Sequence, residues 1–157
     1  MELIGKPTIN PVLFYSGKVA GYITWVVLLL LYIGIDLFNF TVSTYRTYIS
    51  YFLVIISLFF IILSLIMLGK SVRLGLPEAD TVLKTTVVYK ISRNPMYVGF
   101  NLLTIASIIF SFNIAIFFLG VYSIVVYHLI ILGEERFLGK RFGEEFFNYK
   151  KKTRRYV

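Results

Sequence analysis

The stretch Arg93-Asn94-Pro95-Met96-Tyr97-Val98-Gly99 joins a basic, polar segment to an apolar one. Such a change marks a point where a chain enters a membrane. Proline disfavours the α region for the residue before it and suits the first position of a helix. Asn94 is therefore expected as N-cap, Pro95 as N1 and Tyr97 as N3 of a membrane helix. Unpaired backbone N–H groups at that helix start, with the Arg93 guanidinium just outside, make a place for an anionic group at the membrane surface. A plainer reading stays open, in which Arg93 snorkels and Tyr97 belongs to an interfacial aromatic belt.

The rest of the chain supports the membrane reading. Hydrophobic residues make up 58% of the 157 and charged residues 15%, and the apolar ones fall in long blocks, unlike a soluble domain. There is no cysteine, and His128 is the one histidine, which excludes disulfides, thiolate sites and a histidine-rich metal centre. The formal charge is +8, and of the 16 Lys and Arg residues only Arg46 lies outside residues 1–18, residues 70–93 and the tail after Gly133. Basic charge clustered in this way reports cytoplasmic loops. No basic face interleaved with stacking aromatics points to nucleic acid.

Taken in order, residues 1–18 read as an interfacial lead-in broken by Pro7 and Pro11. Residues 19–38 are expected as the first span, about 30 Å long as a helix. A short polar outer loop precedes a second span at 48–68. Residues 70–92 form the long connection, with Gly75, Pro77 and the β-branched run Thr85-Thr86-Val87-Val88 opposing helix. The third span, 95–112, and the fourth, 114–132, are separated by Ser111-Phe112-Asn113, which reads as the turn of an antiparallel hairpin. After Gly133, Leu138, Phe142 and Phe146 recur every four residues among charged ones, as in a surface helix with one apolar stripe. The expected fold is thus an all-α integral membrane protein in a single domain. It has about four transmembrane helices and a cytoplasmic amphipathic C-terminal helix, and both termini lie on the cytoplasmic side.

Glu134-Glu135 is the second informative feature. Two carboxylates at the C-terminal end of a membrane helix oppose the helix dipole and border a low-dielectric region. Adjacent helical residues point about 100° apart, so one of the two needs a cation. Arg93 would make this an interfacial salt bridge, and a cationic ligand would make it a binding site. His128 lies seven residues before Glu135, on nearly the same face. A packed histidine and a catalytic base are both open for it.

The Arg93–Gly99 stretch is similar to the Arg-(His/Asn)-Pro-x-Tyr-x-Gly signature of the isoprenylcysteine carboxyl methyltransferases and of the membrane phospholipid N-methyltransferases. Glu134-Glu135, Leu138, Phe142-Gly143-Glu144-Glu145 and Tyr149 resemble the second signature of those families, and the likeness covers about residues 70–152. It implies an integral membrane enzyme that transfers a methyl group from S-adenosyl-L-methionine to a lipophilic small molecule or lipidated substrate among membrane lipids. The reaction would be O-methylation of a carboxylate or N-methylation of a lipid amine. Carried over, the cofactor contacts are Thr81, Val82, Leu83, Lys84, Tyr89, Asn94, Pro95, Met96, Tyr97 and Glu134, with Arg93, Tyr97, Glu135 and His128 as catalytic candidates and no metal. The sequence departs from the family at Val87-Val88. It also departs at Ile130, where the carboxyl methyltransferases place a substrate-binding arginine. Two rival readings are a reductase on a sterol-reductase-like scaffold using NADPH, and a non-enzymatic membrane protein. The sequence is silent on oligomeric state.

Overall fold

The computed structural model describes residues 7–36, 43–69 and 82–157. These residues are mostly helical. Asn10 begins the first helix by accepting hydrogen bonds from the Val12 and Leu13 amides, with Pro11 at the start of helix α1 (Pro11–Tyr32). This corrects two expectations. Residues 11–18 belong to the first long helix, and that helix ends at Tyr32 rather than reaching residue 38. Pro11 breaks nothing because N1 is a position whose N–H would be unpaired anyway. At the far end the helix stops before Gly34, which has φ +82°.

Helix α2 (Thr44–Leu68) starts a turn earlier than expected and carries no charge after Arg46. Residues 82–86 are not helical and lead into a 3-10 turn at Val87–Lys90, as the β-branched run and the break at Pro95 favour. Helix α3 (Pro95–Ser111) ends at Phe112 in the left-handed region. Asn113 then caps α4 (Ile114–Phe142) through bonds from the Ala115 and Ile116 amides, which makes the expected tight hairpin.

Helix α4 differs from the sequence reading. It runs straight through Gly133 and ten residues past the expected end of the span at 132. Gly133 does not end a helix. A Cβ there would sit 2.6 Å from Thr8, so the glycine lets the N-terminal segment cross α4 closely. The break comes at Gly143, φ +51°, after which α5 (Glu144–Lys152) begins.

Helix α3 is the hub of the bundle, packing against α2, α1 and α4, while α1 also runs along α4. Small and hydroxylated residues line these contacts. Ser50, Ser57 and Ser64 recur every seventh residue on the buried face of α2. Ser57 donates to the Gly99 carbonyl at 2.8 Å and Ser50 to that of Ala106 at 3.0 Å. Ser107 of α3 reaches the Thr24 carbonyl of α1 at 2.7 Å. Helices in hydrocarbon gain little from burying apolar surface against each other, so close packing and such bonds hold them together. Helices α1, α2 and α4 are long and apolar enough to cross a membrane. Helix α3 is apolar but has 17 residues, about 26 Å at 1.5 Å per residue.

The stripe of Leu138, Phe142 and Phe146 packs with Val88, Tyr89 and Leu83. The C-terminal part of the chain therefore lies against the segment that leads into Arg93.

Candidate functional site

Two polar clusters meet at the end of the bundle where α3 begins and the apolar run of α4 stops. The first is built on Arg93 and Glu135. Arg93 Nε and Nη2 both donate to Glu135 Oε1, at 3.2 and 2.9 Å. Arg155 donates to the same carboxylate at 3.1 and 2.9 Å. Arg93 Nη1 donates to the carbonyls of Lys150 and Thr153, and the Arg93 amide donates to Arg154 O at 2.9 Å. Asn94 precedes α3 as expected, yet its side chain does not cap the helix. Its Nδ2 donates instead to Glu135 Oε1 and Arg155 O. Ser92 Oγ donates to Arg155 O at 3.0 Å. The ion pair required by one of the two glutamates is therefore Arg93 with Glu135, reinforced by Arg155.

The second cluster is built on Glu134 and Tyr97. The Tyr97 hydroxyl donates to Glu134 Oε1 at 2.7 Å. Among the described residues, no cation lies within ion-pair distance of Glu134. Lys18 of α1 is close enough to act on the carboxylate electrostatically. The Tyr89 ring also faces this region, with Ser64 and Tyr149 as neighbours. Burial pushes the Tyr89 hydroxyl up, and burial likewise pushes Tyr149 up to about 12, with Arg93 pulling the other way. Both phenols are therefore neutral donors at any ordinary pH.

At the start of α3, Pro95 has no N–H, and the amides of Met96 and Tyr97 have no hydrogen-bond partner among the described residues. Because Asn94 turns its side chain toward Glu135, these donors and the helix dipole remain available to an anion. Among the described residues, a carboxylate without a contacting cation thus lies on Glu134, the residue bonded to Tyr97, whose own amide is an unpaired donor.

Residues 45–145 match the phospholipid methyltransferase family. This span exceeds half of the chain and contains both clusters except for Lys18 and the C-terminal tail. The chain belongs to the phospholipid methyltransferase family. It is a membrane methyltransferase, and neither the reductase nor the non-enzymatic reading is favoured. No curated protein and no solved structure matches the chain.

Within this family frame, the sequence-derived residues fall into three groups. Asn94, Pro95, Met96, Tyr97, Tyr89 and Glu134 come together, and Arg93 and Glu135 lie beside them in the ion-pair cluster. Leu83 packs in the apolar layer under α5, Lys84 is half-buried and Val82 is exposed. Thr81 lies outside the described residues. His128 stands apart: its Nδ1 pairs with the Tyr156 hydroxyl at 2.7 Å and its ring stacks on Tyr156. The sequence reading missed Lys18, Tyr22 and Trp25 of α1 and Arg155 of the tail. Once α1 starts at Pro11, the spacing of Lys18, Tyr22 and Trp25 at i, i+4 and i+7 puts them on one helix face. Arg155 had no such signal within its basic run.

Proposed function

We propose that this methyltransferase uses S-adenosyl-L-methionine and methylates a lipophilic acceptor at the cytoplasmic membrane surface. The observation that carries this is the pairing of Glu134, which has no contacting cation among the described residues, with the uncapped amides of Met96 and Tyr97. A zwitterionic ligand satisfies both ends at once, and the donor set fits the amino and carboxylate groups of this cofactor. When bound, the cofactor supplies an electrophilic methyl group on a sulfonium.

The protein's part is to bind, orient and exclude water, since methyl transfer from a sulfonium is an in-line displacement that depends chiefly on placement. Glu134 holds the cationic amino group, with Tyr97 fixing one carboxylate oxygen. The α3 amides hold the carboxylate. Tyr89 closes the side of the site toward α2. Thr81, Val82, Leu83 and Lys84 complete the approach to Tyr89 as cofactor contacts. Arg93 and Glu135 act on this site by locking Asn94 and the C-terminal tail in place. An amine acceptor must also lose a proton, and Tyr97 with Glu134 offers a route for it, with Glu135 and His128 as more distant ones. A carboxylate acceptor needs no base. The expected topology is four spans, α3 included, with both termini on the cytoplasmic side, because the basic residues outside the spans gather there.

The test is transfer of labelled methyl from the cofactor to a membrane lipid extract and, separately, to prenylated thiols, using the detergent-purified protein. Label in an organic-phase product supports the proposal and names the acceptor class. No transfer to either pool by a protein that binds the cofactor would contradict the acceptor half of it.

A further inference from the structure

Helix α1 lies outside the family match, which begins at residue 45, yet it forms one wall of the site. Gly17 and Gly21 bring it against α4: a Cβ at Gly17 would meet Val126 at 2.3 Å, and one at Gly21 would meet Ser123 Oγ at 2.6 Å and the Tyr127 hydroxyl at 2.8 Å. This approach presents Lys18, Tyr22 and Trp25 to α3 and α4. Trp25 packs against Phe100 in a tilted pair, with ring centroids 5.1 Å apart, and donates Nε1 to Thr104 Oγ1 at 2.9 Å. Phe100 continues to Tyr97 and Tyr127, at 6.0 and 5.8 Å. The aromatic wall thus runs from Trp25 to the residue bonded to Glu134.

Lys18 sits where this wall reaches the polar end. Its side chain leans back along α1, the direction helical side chains take, and places Nζ 4.0 Å from the centroid of Phe14. Phe14 packs in the same cluster as Tyr127, Trp25, Tyr97 and Phe100. Lys18 is half-buried. It faces Glu134 electrostatically but, among the described residues, makes no ion pair or hydrogen bond. An ammonium held by a ring face, with its donors uncommitted, fits an anion arriving from the membrane side. A carboxylate at Glu134 alone would repel such an anion, and Lys18 offsets that repulsion on the α1 side.

We propose that Lys18 is the anion-binding residue of the acceptor site, holding the phosphodiester or carboxylate group of a lipid whose chain lies along the Trp25–Phe100 wall. This rests on the methyl-transfer reading for its meaning, and its test is separable from that reading. Trp25 is the one tryptophan in the chain, so intrinsic fluorescence reports directly on this wall.

The full-length protein in detergent is titrated with dioleoylphosphatidylglycerol, with oleate and with uncharged dioleoylglycerol. Either anionic lipid should change Trp25 emission saturably, and the one that does so identifies phosphodiester or carboxylate as the preferred group. Lys18→Met and Lys18→Gln should each raise its half-saturation tenfold or more, Lys18→Arg should change it less than threefold, and dioleoylglycerol should not distinguish the variants. Equal anionic-lipid binding by the wild type and both neutral variants would overturn the proposal. So would neutral variants that lose affinity for S-adenosylhomocysteine while keeping lipid affinity, since Lys18 would then serve the cofactor's carboxylate. Failure of S-adenosylhomocysteine to bind the wild type would instead count against the methyl-transfer reading, and the lipid titration would stand on its own.

Discussion

Arg93 and Glu134 both belong to the sequence signatures but do different work in the structure. Arg93 is committed to Glu135 and to tail carbonyls, so it acts as a structural fastener. Removing one partner of a buried charge pair leaves the other uncompensated, typically at a cost of about 3–5 kcal/mol. Arg93→Ala should therefore lower the apparent melting temperature of the detergent-purified protein substantially, and Arg93→Lys, which loses the planar fork, should recover only part of the loss. Glu134→Gln should behave oppositely. The amide oxygen can still accept from Tyr97, so melting without ligand should stay near the wild-type value. Cofactor affinity should fall roughly tenfold or more, about 1.4 kcal/mol per tenfold. Isothermal titration with S-adenosylhomocysteine checks the second effect. The sequence left open which glutamate would meet the arginine, because adjacent helical residues differ in direction by an angle that spacing alone cannot orient.

At the scale of helices, the α2–α3 contact depends on Gly99. A Cβ there would lie 2.6 Å from Ile61 Cγ1 and 2.9 Å from the Ser57 carbonyl oxygen, a backbone atom that cannot swing aside. Gly99→Ala should cost about 1–3 kcal/mol by forcing the helices apart. Gly139→Ala is the matched control. Its Cβ would meet Phe146 at an ordinary 3.7 Å, so the substitution should be neutral or stabilise by up to about 1 kcal/mol through the helix preference of alanine. Parallel melting curves of the two variants decide the point. Much of this level was legible. The 95–132 hairpin followed from Pro95 and Ser111-Phe112-Asn113. The spacing of Leu138, Phe142 and Phe146 marked the residues that pack on Tyr89, but not the break at Gly143 that divides them between α4 and α5. Helix α1 was misplaced because Pro11 reads as a breaker until Asn10 is recognised as its cap. Gly17-Lys18-Val19-Ala20-Gly21 also carries the small-xxx-small pattern of membrane helix contacts, which would have drawn the helix back over Lys18. The heptad of Ser50, Ser57 and Ser64 is a similar signal, obscured by the strong apolar character around it.

For the whole molecule, the C-terminal tail closes the same end of the bundle that the family motifs build. Arg155, the Thr153 and Arg154 carbonyls and Tyr156 bind Glu135, Arg93 and His128. Deleting residues 153–157 should lower the melting temperature by roughly 5 °C or more, given the partners lost and a few degrees per kcal/mol for a chain of this size. The long reach between tail and motif was not legible, because single basic residues in a basic run carry no register. Glu134 and the start of α3, as proposed above, form a site for a zwitterionic adenosyl sulfonium cofactor. The most direct test of that site is the melting temperature of wild-type protein and Glu134→Gln with S-adenosylhomocysteine, S-adenosylmethionine and NADPH. Both adenosyl compounds should raise the wild-type value by roughly 5 °C or more near hundredfold saturation. Glu134→Gln should lose most of this rise, and NADPH should have no effect. Stabilisation by NADPH alone, or by the adenosyl compounds equally in both proteins, would contradict the assignment.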